Sequence, residues 1–379
     1  MRRLEAILHD KARIVVKIGT NLLTDRLAGL NHGRIDSIAR GVSHIQSLGY
    51  QVALVSSGAI GAGVAARRLK ERPRTMREKQ ATAAIGQPIL MEAYEAAFRS
   101  YSLMVGQILL TKDDFVNRGR YLNARNTLSV LLEENVIPII NENDTVAVEE
   151  IKLGDNDSLS AMVANLIGAD LLIILSDIDG FYSDDPSHNR RAELIPVVET
   201  ITPRMERQAK KSGGELGTGG MVTKIQAAKR CTSSGIAMII AHGGNPRVLQ
   251  EIVSGEFRGT LFLPAANRLN VRKKWIGFVS HPRGSVTIDD GAKAALTDHR
   301  KSLLPSGVLE LSGVFNEKDT ISVLDVAGNE IARGVSGYSS EELVRIAGRK
   351  TRDVEKILGR RAHGEVIHKD NLVLLCERQ

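Results

Sequence analysis

The chain is poor in the residues that cross-link or anchor proteins. Its two cysteines, Cys231 and Cys376, form neither a disulfide framework nor a zinc-type spacing, and its nine histidines show no H-x-x-x-H spacing. No apolar run approaches the roughly 20 residues of a membrane span. The N-terminal "MRRLEAILHDKARIVVK" lacks the long apolar core of a signal peptide. These absences predict a cytoplasmic protein with no membrane partner.

Two common nucleotide-binding motifs are also missing. The glycine-rich stretch "GELGTGGMVTK" (214–224) fails the P-loop pattern because Gly220 stands where that pattern needs lysine. It fails the Rossmann pattern because Val222 replaces the last glycine. Taken alone, the stretch is typical of a flexible surface loop. Followed by the helix-like "IQAAKR", it is a candidate phosphate-binding loop of another design.

The positive charge is unevenly distributed. The chain carries a net charge of +7, but residues 281–379 hold 15 Lys and Arg against 15 Asp and Glu. The whole excess therefore lies in residues 1–280. A basic body suits a polyanionic ligand such as a nucleotide or a nucleic acid, although a solvated surface explains it equally well.

Up to about residue 265, short apolar runs alternate with segments of helical periodicity such as "ARNTLSVLLEEN" and "SLSAMVANLIG". Continuous apolar strands separated by helices predict an α/β fold, in which a mostly parallel sheet is sandwiched between helices. The predicted strands are 13–19, 51–57, 104–110, 136–141, 171–176 and 237–241.

Small, polar or charged residues follow these strands repeatedly, as in "KIGTN", "SSGAIGAG", "NENDTV" and "SDIDGFYSDDP". Each segment alone is typical of a turn or a helix cap, and Asn156 of "GDND" is predicted to cap a helix that starts near Ser158. Parallel sheets bind ligands beyond the carboxyl ends of their strands. We therefore expect these segments to converge on one site.

Lys17 and Lys224 are the predicted cations of that site. Lys17 ends a buried strand, where a lysine needs an anionic partner, and Lys224 lies in or near the first turn of a helix. The helix opening at Ser57-Gly58 presents free backbone N–H groups to an anion. Asp144 and Asp157 supply counter-charge, which could orient the lysines, bind a substrate ammonium or hold magnesium.

At these positions the sequence resembles the amino acid kinase family. The resemblance is carried by "VVKIGTN", "VSSGAIGAG", "INENDTV", "GDND", "SDIDGFYSDDP" and "GTGGMVTK", in that order. Their order and spacing are similar to the glutamate 5-kinase branch, and the resemblance covers nearly the whole chain. One such motif is weak evidence, whereas six in order are highly specific.

The resemblance implies transfer of the γ-phosphoryl group of ATP to the side-chain carboxylate of L-glutamate, with Mg²⁺ as cofactor. The product, L-glutamyl 5-phosphate, is the first intermediate of proline biosynthesis, and inhibition by proline is implied with it. A homodimer or homotetramer is also implied, as is transient contact with the reductase that consumes the labile glutamyl phosphate.

Roles for single positions come from the same resemblance. The implied catalytic residues are Lys17, Lys224 and Asp157, with Asp157 holding the two lysines in place. The implied glutamate ligands are Ser57, Asp144 and Asn156. The implied ATP ligands are Lys17, Ser176, Asp177, Thr218, Gly219, Gly220, Met221, Val222, Thr223 and Lys224. No residue is assigned as a metal ligand. Relatives often carry threonine at position 176, and serine keeps the hydroxyl.

Beyond residue 265 short strands with turn signals replace the α/β pattern. This part is similar to a PUA domain, a small β-barrel-like unit, which gives predicted boundaries of 1–265 for the catalytic domain, 266–281 for a linker and 282–375 for the PUA domain. PUA relatives usually have glycine before the aspartate of "NEKD" (316–319), where this chain has lysine. PUA domains commonly bind RNA, but the balanced charge here gives that prediction no support.

Two classes of function remain open on the sequence. The first is a small-molecule kinase, with N-acetylglutamate and aspartate as the alternative acceptors. The second is an RNA-binding or RNA-modifying protein whose large domain only senses nucleotide. The missing H-R-D loop of protein kinases does not count against the first class, because a carboxylate acceptor with a pKa of about 4.3 is ionised at pH 7 and needs no general base.

Overall fold

A computed structural model describes residues 4, 7–25, 29–146, 155–186, 188–189, 191–211, 220–265, 282–299, 301–359 and 364–375. Contacts divide the chain into two compact units, Met1–Arg268 and Leu269–Gln379. The predicted linker, 266–281, lies outside the described residues. Among the helices of the described ranges, none has the length and apolar character needed to cross a bilayer.

Within the residues that the structure describes, the first unit has ten strands. They are β1 (Arg13–Ile18), β2 (Thr24–Asp25), β3 (Gly29–Leu30), β4 (Gln51–Ser56), β5 (Val105–Leu110), β6 (Ile137–Glu142), β7 (Leu171–Ser176), β8 (Val197–Val198), β9 (Ala237–His242) and β10 (Gly259–Phe262). Eight of them form one sheet in the order β5-β6-β4-β1-β7-β9-β10-β8. All neighbours are parallel except β9 and β10. The mostly parallel sheet is confirmed, and all six predicted strands form.

Helices connect and cover these strands. They are α1 (Thr20–Leu23), α2 (His32–Ser47), α3 (Ala59–Ala66), α4 (Met76–Arg99), α5 (Lys112–Val116), α6 (Arg118–Glu133), α7 (Asn156–Ile167), α8 (Pro203–Lys211), α9 (Met221–Ser233) and α10 (Val248–Ser254). The apolar faces of α2, α4 and α10 pack against one face of the sheet in a continuous core. Helix α7 contacts β1, β4, β6 and β7 and packs against α9.

Alternation along β1 decides where Lys17 points. Ile14, Val16 and Ile18 belong to the core shared with α2, α4 and α10. Because successive side chains of a strand point to opposite faces, Val15 and Lys17 point to the other face. Lys17 is buried there, with 8% of its surface exposed. The strand period thus directs one ammonium group towards α7.

Two glycines allow α3 and α4 to pack at backbone distance. A Cβ atom on Gly86 would lie 1.8 Å from the carbonyl oxygen of Ala59, and one on Gly63 would lie 2.0 Å from that of Thr82. No side chain fits at either position. The close approach fixes α4 beside the start of α3, which is also the segment that follows β4.

The described part of the second unit has five strands, β11 (Gly284–Ile288), β12 (Val308–Gly313), β13 (Thr320–Leu324), β14 (Glu330–Val335) and β15 (Leu372–Leu374), in the sheet order β12-β11-β13-β14-β15. Its helices are α11 (Asp290–Thr297), α12 (Ser340–Ile346) and α13 (Thr351–Leu358). Strands β11 and β13 are parallel, and the other neighbours are antiparallel. The unit has its own apolar core, as the β-rich pattern after residue 265 predicts.

The turn of "NEKD" is kept although it lacks the glycine. Lys318 adopts a φ of 75°, in the left-handed region that costs a residue with a Cβ roughly 1–2 kcal/mol. The backbone N–H groups of Lys318 and Asn316 donate to the carbonyl of Ser336 and the carboxylate of Asp319, at 2.8 Å each. These bonds hold the turn in place despite the strain.

Replacing this lysine by glycine should therefore stabilise the second unit. We expect Lys318→Gly to raise its free energy of unfolding by about 1 kcal/mol, because glycine adopts positive φ without the Cβ penalty. Scanning calorimetry of the full chain measures the change. Glu317→Gly, next to it and outside the positive-φ region, is the matched control and should lower stability. Equal effects of the two changes would contradict the strain at position 318.

Candidate active site

The carboxyl ends of the central strands open into one cleft of about 780 Å³ in the first unit. Its lining combines the ends of β1, β6 and β7 with the starts of α3, α7 and α9. Of the residues singled out in the sequence, the lining includes Lys17, Ser57, Asp144, Asn156, Ser176, Asp177, Gly220, Met221 and Lys224. Segments up to 207 positions apart in sequence thus meet at one site, as the strand-end pattern predicts.

Three charged side chains form a Lys–Asp–Lys triad (Lys17, Asp157 and Lys224) at the base of the cleft. The Nζ atom of Lys17 lies 2.6 Å from Asp157 Oδ1, and the Nζ atom of Lys224 lies 3.1 Å from Asp157 Oδ2. The Thr223 hydroxyl lies 2.8 Å from the same Oδ2. Both carboxylate oxygens are therefore engaged by side chains from β1 and α9.

The electrostatics keep Asp157 ionised. Burial by itself would raise the pKa of this carboxyl, whose side chain is fully buried, but the charges of Lys17 and Lys224 outweigh burial and lower it. Two ammonium groups against one carboxylate leave the triad with a net charge of +1. This local positive charge of the triad favours an anionic ligand next to Lys17 and Lys224.

Two helices begin at the cleft without side-chain caps. Gly58 precedes α3 with a φ of 107°, and Gly220 precedes α9; neither start is capped by a side chain. The first backbone N–H groups of each helix lack intrahelical acceptors and can donate to phosphate oxygens. In α9 these groups belong to Met221, Val222 and Thr223. The implied ATP ligands Thr218 and Gly219 lie outside the described residues.

The start of α7 corrects one prediction. Asp155, not Asn156, caps this helix, because the Asp155 carboxylate accepts a hydrogen bond of 2.7 Å from the backbone N–H of Ser158. The predicted cap was wrong because Asp155 and Asn156 of "GDND" are both good capping residues by type. Because Asn156 does not cap the helix, its side-chain amide donates across the site to Ser57 Oγ at 2.7 Å and to the Ser56 carbonyl at 3.0 Å.

At the end of β7, Ser176 and Asp177 face α1. The Ser176 hydroxyl donates to Asp177 Oδ1 at 3.0 Å, and Asn21 Nδ2 donates to Asp177 Oδ2 at 3.2 Å. Burial would raise the pKa of Asp177, but these hydrogen bonds together lower it. Asp177 therefore carries its charge in the cleft at neutral pH.

Carboxylates outnumber cations in the cleft lining. They are Glu142, Asp144, Asp155, Asp177, Asp184 and Asp185, against Lys17, Lys224 and Arg72. Burial, and next the charge of Asp157, raises the pKa of Asp155. Within the described residues no three or more His, Cys, Asp or Glu side chains are grouped so that they could hold a metal ion alone. The donor set instead fits an ion such as Mg²⁺ that takes one or two carboxylates and completes its shell with phosphate oxygens.

Sequence reasoning missed several side chains of the site. Asn141 lies inside the quoted "INENDTV" motif, and Asn21 inside "KIGTN", so a closer reading of strand ends could have found both. Gln87 lies in the middle of α4, yet its Oε1 atom accepts a 2.9 Å hydrogen bond from Asn141 Nδ2. No local pattern marks such a residue, because its partner is 54 positions away.

Comparison with known sequences gives matches along the whole chain. The sequence model of the amino acid kinase family matches residues 12–242, and that of the PUA domain matches residues 284–358. A glutamate 5-kinase of Geobacter sp. (strain M21) is 50% identical over 369 residues, which is 97% of this chain and 99% of the relative.

Two further relatives have the same name. The glutamate 5-kinase of Geobacter sulfurreducens is 51% identical over 97% of this chain and 99% of its own length. That of Thermoanaerobacter sp. (strain X514) is 50% identical over 96% of this chain and 98% of its own length. The similarity therefore extends over both units.

Proposed function

Because the chain belongs to the amino acid kinase family, we propose that it transfers the γ-phosphoryl group of ATP to the side-chain carboxylate of L-glutamate, which yields L-glutamyl 5-phosphate for proline biosynthesis. The Lys–Asp–Lys triad at the base of the cleft is the observation that supports this proposal most strongly. Identity of about half the residues to glutamate 5-kinases over nearly the full chain supports the choice of acceptor.

The reaction needs charge neutralisation more than proton transfer. The acceptor carboxylate is already ionised at pH 7, so no general base has to remove a proton. It must, however, approach a phosphoryl group of the same sign, while negative charge develops on the leaving oxygen of ADP. Positioned cations and backbone amides stabilise such transition states. In our proposal Lys17 and Lys224 bind the transferred phosphoryl group, and the N–H groups at the start of α9 bind the adjacent phosphates.

Of the three roles that the sequence left open for Asp157, the geometry favours orientation of the lysines. Its Oδ1 atom contacts Lys17, and its Oδ2 atom contacts Lys224 and the Thr223 hydroxyl, so both oxygens already engage the groups that they would orient. An ionised carboxylate between the lysines offsets their mutual repulsion and holds both Nζ atoms at one place. Asp157 acts in this proposal as the positioning residue of the triad.

The carboxylates of the cleft would hold Mg²⁺ only together with the phosphate oxygens of the nucleotide. Mg²⁺ supplies neutralisation of phosphate charge when bound, and it usually keeps water and phosphate oxygens with one or two carboxylates. Asp155 is a suitable ligand, because its carboxylate lines the cleft and carboxylate oxygens are ligands that Mg²⁺ prefers. The Lys–Asp–Lys triad would supply further positive charge, from the protein itself, next to the transferred γ-phosphoryl group.

Glutamate is proposed to bind between the starts of α3 and α7. Ser57 and Asn156 lie there in mutual hydrogen bonding at 2.7 Å, and Asp144 lines the same cleft. A carboxylate at position 144 suits an α-ammonium group, which glutamate has and N-acetylglutamate lacks. The nucleotide phosphates would occupy the opposite side, next to Ser176, Asp177 and α9.

One assay tests both the activity and the acceptor. We expect the chain to release ADP from Mg-ATP only when glutamate is added, and hydroxylamine to trap the acyl phosphate as the hydroxamate. N-acetylglutamate should give a kcat/KM lower by about tenfold or more, because Asp144 then has no ammonium partner. Equal rates with the two acceptors would remove the proposed role of Asp144. A salt-sensitive gel shift with RNA and no ADP release would instead favour the RNA-binding alternative.

Further properties implied by the family remain predictions. They are feedback inhibition by proline, self-association into dimers or tetramers, transfer of the product to a reductase, and the domain boundaries at 265 and 282. The C-terminal unit matches the PUA family, but residues 281–379 carry no excess of basic side chains to support RNA binding.

A further inference from the structure

A chain of three buried or half-buried side-chain amides (Gln87, Asn141 and Asn156) connects α4 to the cleft. Gln87 Oε1 accepts from Asn141 Nδ2 at 2.9 Å, and Asn141 Oδ1 accepts from Asn156 Nδ2 at 3.2 Å. We call these residues the amide chain. We propose that Gln87 is a positioning residue, and this proposal rests on the function proposed above. By fixing how Asn156 faces the cleft, Gln87 would select for acceptors that carry an α-ammonium group.

Backbone groups of fixed polarity determine the direction of the amide chain. The backbone N–H of Glu142 donates to Asn141 Oδ1 at 2.9 Å, so this atom must be the oxygen. The Ser56 carbonyl accepts from Asn156 at 3.0 Å, so that contact must come from the NH₂ group. Asn141 Nδ2 is then left facing α4, where only an acceptor such as Gln87 Oε1 satisfies it.

Because the NH₂ group of Asn156 makes these contacts, its Oδ1 atom takes no part in the amide chain. Asn156 Nδ2 contacts Ser56, Ser57 and Asn141, whereas no hydrogen bond from a described residue reaches Asn156 Oδ1. Asn156 lines the cleft. An amide oxygen in the cleft that Asp144 also lines would be a second acceptor for an ammonium group, and it would repel a ligand that presents an acceptor there.

Gln87 is buried next to Asn141. It is 8% exposed, and its Nε2 atom is buried without a hydrogen-bond partner among the described residues. Buried polar atoms are rarely left unsatisfied, and each one costs stability. The neighbouring Gly86, which admits no side chain against Ala59, holds this part of α4 at a fixed depth. Gln87 is thus held in a fixed position against Asn141.

Replacing Gln87 by methionine keeps the length of the side chain and removes the acceptor. The buried Asn141 NH₂ group then lacks a partner, and its rotation towards a new one breaks the contact with Asn156. We expect Gln87→Met to raise the KM for glutamate about tenfold, with kcat and the KM for ATP within about twofold of the original values. The inhibition constant of glutarate, which lacks the ammonium group, should change less than about twofold.

Thr82→Val is the matched control. Thr82 is also buried on α4, and its hydroxyl donates to the Glu78 carbonyl at 2.6 Å, on the side that faces α3. This variant should lower the melting temperature without changing the ratio between the KM of glutamate and the inhibition constant of glutarate. If Gln87→Met does not fold, Gln87→Ser, which is too short to reach Asn141, replaces it in the same comparison.

Two outcomes separate the proposals. If Gln87→Met weakens the binding of glutamate and of glutarate by the same factor, the loss is purely structural. The proposed role of Gln87 is then overturned, while the proposed kinase activity stands. If the unchanged chain shows no glutamate-dependent ADP release, the proposed function itself fails. A selective loss of glutamate binding in an otherwise active enzyme supports the role of Gln87.

Discussion

Lys17→Ala and Lys224→Ala are each expected to lower kcat by about 10²–10³, with much smaller changes in the KM for glutamate. The reason is that the ammonium groups stabilise the transition state, in which two anionic groups are brought together and negative charge moves to the leaving oxygen of ADP. Loss of such an interaction lowers kcat more than it weakens ground-state binding. Steady-state kinetics with glutamate varied at saturating Mg-ATP measures both quantities.

The control for these variants lies on the same helix as Lys224. Lys229 is exposed, and its Nζ atom pairs with Glu206 Oε1 at 2.6 Å on the surface. Lys229→Ala should leave kcat within about twofold, because exposed ion pairs contribute little and this lysine lies outside the cleft lining. Turnover close to normal in either Lys17→Ala or Lys224→Ala would remove that lysine from the site.

Asp157→Asn is expected to damage both stability and rate. The change leaves two nearly buried ammonium groups without their counter-charge, and breaking a buried ion pair in this way typically costs about 3–5 kcal/mol. The lysines would also lose the carboxylate that holds them together, so kcat should fall with stability. Urea unfolding and steady-state kinetics of the same variant measure the two effects.

The stability that Asp157 contributes should depend on pH in a definite direction. The pKa of Asp157 is lower in the folded chain than its ordinary value of 3.8. Its stabilising contribution is therefore complete above pH 3.8 and is lost as pH falls through the lower folded-state pKa. The stability difference between the original chain and Asp157→Asn should stay level from pH 7 towards 3.8 and narrow only below it.

A second buried carboxylate provides the control for Asp157→Asn. Asp170, just before β7, accepts a 3.0 Å hydrogen bond from the backbone N–H of Arg13, at the start of β1 and far along the strand from Lys17. Asp170→Asn should cost stability but leave kcat nearly unchanged. If Asp157→Asn behaves in the same way, the carboxylate at 157 supports the fold and does not position the lysines.

The parts of the fold that follow local rules could be predicted from the sequence. Apolar runs of about six residues between helical segments marked the six strands, since a sheet covered on both faces excludes polar side chains. The same rule singled out Lys17, a lysine in a run that should be buried. The antiparallel strand β10 was not predicted, because "GTLF" (259–262) is too short to show a hydrophobic pattern. Nothing in these four residues indicates antiparallel pairing.

Long-range hydrogen bonding explains what could not be predicted. Asp155 and Asn156 are equally good helix caps by type, and only the position of Ser57, 99 residues earlier, shows why Asn156 hydrogen-bonds across the cleft instead. Gln87 has no distinguishing neighbours in sequence, and its importance depends on Asn141 across the fold. Side chains whose partners come from distant segments leave no periodic signal, so their roles need coordinates.

The central claim is that one phosphoryl group lies between Lys17 and Lys224 while Asp157 holds both lysines. A crystal structure with magnesium, a non-hydrolysable ATP analogue and glutamate tests it most directly. We expect both Nζ atoms within about 3 Å of γ-phosphate oxygens, with Asp157 still contacting both lysines. A γ-phosphate bound elsewhere in the cleft, in contact with neither lysine, would contradict the claim.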